Sequence, residues 1–263
     1  MQEARRPACS GIAEEYLKTV GSIPLEMHQE EFEGYLQRIG KFRPITPEIE
    51  IFEVGVGTGW FLLLCAMRGL RCRGLELNSV FAQHARQLGR AHGYELDIEE
   101  GSVEQHPLGE ERYDVVFASS VFEHVRNYEA AARNVYRALR PGGVFYFYST
   151  NKFSLGSGEY PALPLYGWLP NRVRYRFRVW RQGEDIVQSS GIDFNQFTYG
   201  QLTRLFRRVG FSTVLDWVAW LQEDDIIVKR FWKVWALRAL RNVPAMRAAA
   251  RTFASGNNFI CVK

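Results

Sequence analysis

Glu53, Gly55, Gly57 and Gly59 alternate along the run Ile49-Glu50-Ile51-Phe52-Glu53-Val54-Gly55-Val56-Gly57-Thr58-Gly59-Trp60 and carry the first chemical signal in the chain. The residues before the glycines read as a buried strand, and those after them as a helix start. Glycine is needed where backbone takes positive φ or comes close to a ligand. The free N–H groups of a helix start favour a polar or anionic group. Two kinds of ligand use such a turn. A dinucleotide turn reads GxGxxG, and its third glycine lets helix and strand pack closely. Here that position is Trp60. The Glu53 carboxylate would repel a pyrophosphate, but suits a ligand bearing a cationic ammonium and sulfonium.

A second group lies further on, where Glu123 and His124 follow the apolar run Tyr113–Ser119. Histidine titrates near neutral pH, so His124 at the carboxyl end of a strand is a candidate base for a hydroxyl. The plainer reading is that it lines a pocket or caps a helix.

The elements that position these residues alternate in type. Strands are expected at 49–54, 72–77, 95–98, 113–119, 144–148, 211–220 and 258–262, with helices at about 62–67, 79–92, 128–139 and 199–209. Such alternation implies a mostly parallel sheet with helices on both faces. Two further helices, broken at Pro24, are expected between Gly11 and Ile39, and Pro141-Gly142-Gly143 reads as a turn.

Four pieces in order resemble the motifs of class I S-adenosylmethionine-dependent methyltransferases. They are Glu53-x-Gly55-x-Gly57-x-Gly59, Glu76 at a strand end, Gly101-Ser102-Val103-Glu104, and Tyr113-Asp114-Val115-Val116 leading to Ser119. The segments Ser119-Ser120-Val121-Phe122-Glu123-His124-Val125 and Phe147-Tyr148-Ser149-Thr150-Asn151 are most similar to those of ubiquinone-type O-methyltransferases. Asp193-Phe194 and Phe197 add to that likeness. The resemblance covers residues 46–150 well and 191–220 loosely. It implies a Rossmann-like α/β fold with a seven-stranded sheet of order 3-2-1-4-5-7-6 and strand 7 antiparallel.

The resemblance also implies S-adenosylmethionine as cofactor. Glu53, Gly55, Val56, Gly57 and Gly59 would form its turn, and Glu76 with Leu77 would receive the ribose. Ser102 and Val103 would border the adenine, with Ser102 in place of the usual Asp, and Ser119 would sit beside the reacting end. Catalysis would fall to His124 and Glu123. Some relatives bind a metal through Glu-x-x-Glu-His, but the first position here is Ser120. Hydroxyls are poor ligands beside carboxylates, so no metal is expected.

The implied organisation is an N-terminal helical cap over residues 1–45 and a methyltransferase domain over 46–263, with insertions at about 151–190 and 221–256 as substrate cover. Charge divides unevenly along it. Residues 1–154 hold 17 Lys/Arg against 21 Asp/Glu, and residues 155–263 hold 16 against 8. The later part is expected to meet something anionic. Arg172, Arg174, Arg176, Arg178 and Arg181 crowd one stretch with Tyr and Trp. In the second insertion Val228, Phe231, Trp232, Trp235 and Ala239 fall on one helical stripe with Lys/Arg elsewhere. That pattern suits an interfacial helix at an anionic membrane, or a stripe packed on the protein's own core. No run approaches about 20 apolar residues, and Cys9, Cys65, Cys72 and Cys261 show no metal-type spacing. The expectation is a reduced, cytoplasmic protein, peripheral to a membrane at most.

The leading functional reading is methyl transfer to an oxygen of a small-molecule or lipid-like acceptor. An RNA methyltransferase is the second reading, although no RNA-binding module is recognisable and nucleic acid is not the expected partner. A non-catalytic cofactor-binding scaffold at a membrane is the third.

Overall fold

The computed structural model describes residues 9–156, 160, 163–183, 193–223, 225 and 231–263. Seven strands form one sheet of order β3-β2-β1-β4-β5-β7-β6. They are β1 (Glu50–Val54), β2 (Arg71–Glu76), β3 (Asp97–Glu100), β4 (Tyr113–Ser119), β5 (Leu139–Thr150), β6 (Thr213–Asp216) and β7 (Gly256–Val262). Strands β1 to β5 run parallel, and β7 pairs antiparallel with both β5 and β6. The expected strand order and the antiparallel seventh strand are both present.

The central strands are apolar on both faces because helices cover both. Phe52, Val54, Val116, Ala118, Phe145 and Phe147 point to one side, where they meet α5 (Tyr128–Ala138) and α7 (Tyr199–Val209). Ile51, Val115, Phe117, Val144 and Tyr146 point to the other, against α2 (Glu26–Gly40) and α3 (Trp60–Met67). The alternation is the period-two pattern of a strand. Helix α3 reads WFLLLCAM and is buried along most of its length, so it lacks a polar face. Helix α4 (Ser79–Ala91) is capped by Asn78, whose Oδ1 accepts the Val80 N–H at 2.9 Å. Helix α1 (Cys9–Val20) packs on α4.

The amino end of β4 is anchored by Asp114. Its carboxylate accepts from Arg43, from Arg140 at 2.6 Å and from the Glu50 N–H at 3.0 Å. This clamp lies at the opposite end of β4 from the site, so it fixes the strand without entering the chemistry.

Several expectations are corrected. The Pro141-Gly142-Gly143 segment lies inside β5, where Gly142 donates to the Lys263 carbonyl and Lys263 to that of Gly143. The strand expected at 211–220 stops at Asp216, whose side chain accepts the Ala219 N–H at 3.1 Å and starts the short α8 (Trp217–Trp220). The basic stretch after it is two helices, α9 (Phe231–Asn242) and α10 (Pro244–Phe253), because Pro244 opens a second one.

The stripe on α9 is also placed differently. Leu237 is the buried residue, against Trp220 and Leu221, with Val234 beside it. Trp232 and Trp235 face outward, and Val228 lies outside the described residues. Arg247 and Arg251 both pair with Asp216, and Arg241 donates to the Val218 and Leu221 carbonyls.

In the first insertion, α6 (Asn171–Gln182) buries Arg174 and Arg178, while Arg172, Arg176 and Arg181 stay exposed. Only part of the arginine run can therefore face an anionic partner. Among the described residues, no helix is long and apolar enough to cross a membrane.

Candidate active site

The carboxyl ends of β1, β2 and β4 gather the residues singled out above. Gly55, Gly57 and Gly59 take φ of 76°, 56° and 88°, but for different reasons. A Cβ on Gly55 would stand 2.3 Å from Val121 Cγ2, and one on Gly59 would stand 2.5 Å from the Ala85 Cβ. Those glycines let the turn press against the β4 loop and α4. A Cβ on Gly57 would meet nothing within 4 Å. Gly57 therefore presents bare backbone to open space, where a ligand can approach. Val56 turns inward and packs against Gly74, so only its backbone can serve a ligand.

Glu53 lies below this turn, paired in register with Gly74 and Phe117. It is buried, and its Oε2 has no hydrogen-bond partner among the described residues. Burial, with Cys65 and Glu76 close by, pushes its carboxyl well above the ordinary carboxylate range. An orphaned acid beneath a glycine turn calls for a donor or a cation. The cofactor's ammonium fits that demand.

Glu76 ends β2. Its Oε1 accepts the Asn78 N–H and its Oε2 the Gly57 N–H, both at 2.9 Å. Burial raises its pKa, and the bonds from the Asn78 and Gly57 backbone oppose the rise. Each carboxylate oxygen keeps a second lone pair, enough for a pair of ribose hydroxyls. Leu77 is 62% exposed next to it. Ser102 Oγ accepts the Glu104 N–H at 3.3 Å and shapes the next loop. Val103 is buried, and its carbonyl accepts from Asn134 Nδ2 at 2.9 Å. The structure thus bonds Glu76 to the turn with Glu53 close by, while Ser102 and Val103 reach the same end through a separate loop.

Ser119 closes β4. The Tyr35 hydroxyl bonds to Ser119 and to the Glu31 carboxylate, which brings α2 over this corner. Ser120 then takes φ of 56°, a left-handed conformation unusual for a residue with a side chain. It turns the chain into a 3₁₀ turn, Phe122–His124. Glu123 is buried there, and its Oε1 accepts the Thr150 N–H at 3.3 Å. That bond makes Glu123 a tie between the ends of β4 and β5. His124 is 31% exposed, with Nδ1 3.7 Å from Asp193 Oδ1. Among the described residues, no group of three or more His, Cys, Asp or Glu side chains could hold a metal ion.

Residues 52–147 match the family described as "Methyltransferase domain". That stretch is similar to a methyltransferase domain, and it holds the glycine turn, Glu76 and the His124 corner. A malonyl-[acyl-carrier protein] O-methyltransferase of Serratia marcescens is 37% identical over 101 residues, which is 38% of this chain and 38% of that protein. A ubiquinone biosynthesis O-methyltransferase of Methylobacterium sp. is 29% identical over 137 residues, 48% of this chain and 53% of that one. The chain therefore spans about half the length of these relatives, or less. In fold, the chain is similar to an S-adenosylmethionine-dependent methyltransferase from Mesorhizobium loti. The TM-score is 0.57 at 18% identity, over 91% of this chain and 100% of that one.

The sequence motifs leave Asp193 and Tyr35 without a role. Asp193 is quoted only as part of a likeness, and nothing local links it to His124, which is 69 positions earlier. Tyr35 reads as one more apolar position on α2. No short-range signal could have placed either residue.

Proposed function

We propose that the protein transfers the methyl group of S-adenosylmethionine to an oxygen of a small-molecule or lipid-like acceptor. The observation that carries this is the buried, unpartnered Glu53 oxygen beneath a glycine turn whose Gly57 faces open space. Glu53 and the turn would hold the amino-acid end of the cofactor. Glu76 would hold the ribose, with Leu77, Ser102 and Val103 toward the base and Ser119 toward the sulfur. When bound, the cofactor supplies an electrophilic methyl group on a sulfur that leaves as a neutral thioether.

The protein's own share is then alignment and proton removal. Tyr35 and Ser119 close the corner from the α2 side, and Glu123 fixes the loop that carries His124. His124 takes the acceptor hydroxyl's proton as the new bond to oxygen forms. The names of the two curated relatives, both O-methyltransferases, support oxygen as the acceptor atom.

Isothermal calorimetry with S-adenosylmethionine and S-adenosylhomocysteine tests the cofactor half. The expected result is one site per chain, weakened at least tenfold in Gly57→Ala, and no binding sinks the reading. Methyl transfer to a panel of phenols, quinol precursors, sugars and lipids tests the other half. Activity confined to amine acceptors would overturn oxygen.

A peripheral contact with an anionic membrane belongs to the same proposal. It is supported by outward Trp180, close in sequence to exposed Arg172, Arg176 and Arg181, and by outward Trp232 and Trp235 on α9. Flotation with anionic vesicles tests it, and equal lack of binding to anionic and neutral vesicles counts against it. The RNA alternative leaned on the basic insertions, and the burial of Arg174 and Arg178 weakens that support.

A further inference from the structure

Asp193 is nearly inaccessible to solvent. Its Oδ2 accepts from Thr150 Oγ1 at 2.9 Å and from Gln196 Nε2 at 3.3 Å. Both of these bonds are made to Oδ2, and Oδ1 stands 3.7 Å from His124 Nδ1. A buried carboxylate favours a cation or an N–H opposite it.

The surrounding chain is stitched in two directions. On one side, fully buried Arg174 of α6 donates to the Asp193 carbonyl and to Asn171 Oδ1, both at 2.9 Å. Asn171 Nδ2 and the Tyr175 hydroxyl both donate to the Phe194 carbonyl, at 3.3 and 3.2 Å. On the other side, the Asn195 N–H donates to the Glu123 carbonyl at 3.0 Å. Asn195 Nδ2 donates to the carbonyls of Phe122 and Val125, at 3.1 and 2.5 Å. Residues 193–195 are thus bolted to α6 behind and to the His124 turn in front. A segment serving only as cover would not need a buried guanidinium for this.

We propose that Asp193 is the positioning residue for His124, and that α6 is folded into the first insertion to deliver it. This rests on the reading of His124 as the base. Asp193 accepts the Nδ1–H of the neutral imidazole. That selects one tautomer and leaves Nε2 with the lone pair that takes the acceptor's proton. A small rotation of the imidazole closes the 3.7 Å separation to a hydrogen bond. Insertion and catalysis are then one unit, and loosening α6 misaligns the base.

The tautomer can be read without knowing the acceptor. The full chain, labelled with ¹⁵N-histidine, is measured by long-range ¹H–¹⁵N correlation at a pH where the ring is neutral. The expected result is an Nδ1–H tautomer for His124 in the wild type. In Asp193→Asn the amide can donate to Nδ1 instead, and the tautomer ratio moves about tenfold or more toward Nε2–H. Asp193→Glu restores the wild-type tautomer at least in part. Should Asp193→Asn not fold, Thr150→Val removes one donor from Oδ2 while keeping the carboxylate, and a smaller shift in the same direction is expected. An Nε2–H wild type, or a ratio unchanged in both variants, overturns the inference. Absence of S-adenosylmethionine binding in calorimetry would sink the methyltransferase reading separately, whatever the tautomer.

Discussion

The glycine turn and the His124 corner occupy the carboxyl ends of neighbouring strands, yet they are held by different means. The turn is fastened through its own backbone N–H groups, to itself and to the adjoining strand: Gly55 N–H to the Leu75 carbonyl, Gly57 N–H to the Glu76 carboxylate and Gly59 N–H to the Val56 carbonyl. The corner is fastened from later in the chain, by the Asn195 and Asp193 side chains and the Thr150 backbone N–H. A cofactor common to many enzymes can be met by a local backbone shape. An acceptor particular to one enzyme is met by whatever the later chain brings. The two halves should therefore fail separately, and each variant below tests that separation.

The largest effect is expected at the turn. Gly55→Ala combines positive φ with a 2.3 Å clash against Val121. It should destabilise the protein by about 3 kcal/mol and abolish cofactor binding. Gly57→Ala meets no neighbour within 4 Å, so it carries only the left-handed backbone cost of about 1–2 kcal/mol. It should nonetheless lose cofactor affinity at least tenfold. Thermal melts with calorimetry separate the two, and equal destabilisation by both would deny the distinction between packing glycine and ligand glycine.

Next comes the brace of the acceptor half. Arg174→Met removes the guanidinium that holds the Asp193 carbonyl and Asn171, and should cost about 2 kcal/mol. Hydrogen exchange should rise at Asn195 and the His124 turn while β1 and the glycine turn stay protected. S-adenosylmethionine affinity should change less than twofold. A matching loss of cofactor affinity would show the two regions to be one cooperative unit.

That division also explains what the sequence could and could not say. The strand order and Glu76 were legible through the resemblance to a family, and the glycine turn through residue types a few positions apart. Glu123 was legible as a residue just past the end of β4, but not as a tie to Thr150, which needs the β4–β5 pairing to be known. The arginines of α6 looked alike in the chain. Only packing sorts buried Arg174 and Arg178 from exposed Arg172 and Arg176. Apolar patterning carries β6 on to Trp220, but Asp216 works as a helix cap that ends it. Trp232 and Trp235 were grouped with an apolar stripe, when the core takes Leu237 instead.

A third test returns to the cofactor half, through protons. Burial holds the Glu53 carboxyl well above its ordinary range. The ligand-free fold therefore binds that proton more tightly than the unfolded chain does. This contribution to stability is fully present below the unfolded pKa of about 4.3. It is lost as pH rises toward the raised folded value, by at most about 1.4 kcal/mol per pH unit. Binding a cationic ammonium favours the ionised acid, so cofactor binding should release a proton and tighten as pH rises through that window. Calorimetry in buffers of different ionisation enthalpy measures the release, and Glu53→Gln should remove both the release and the pH slope of stability. Proton uptake on binding, or none in the wild type, would refute Glu53 as the ammonium partner.

The smallest effect on stability is expected at the outer face of α9. Trp235 is 66% exposed, while Leu237 two positions on is buried against Trp220. Trp235→Ser should therefore change stability by no more than about 0.5 kcal/mol, as for surface positions in general. It should leave S-adenosylmethionine affinity and the His124 tautomer untouched, because α9 belongs to neither half of the site. If the exposed tryptophans meet a membrane, the same substitution should cut flotation with anionic vesicles severalfold, since each interfacial aromatic contributes buried apolar area. A variant with unchanged stability and unchanged flotation would detach this face from the acceptor side. A variant that loses stability would mean that Trp235 packs on the protein after all, and that the acceptor half extends across α9.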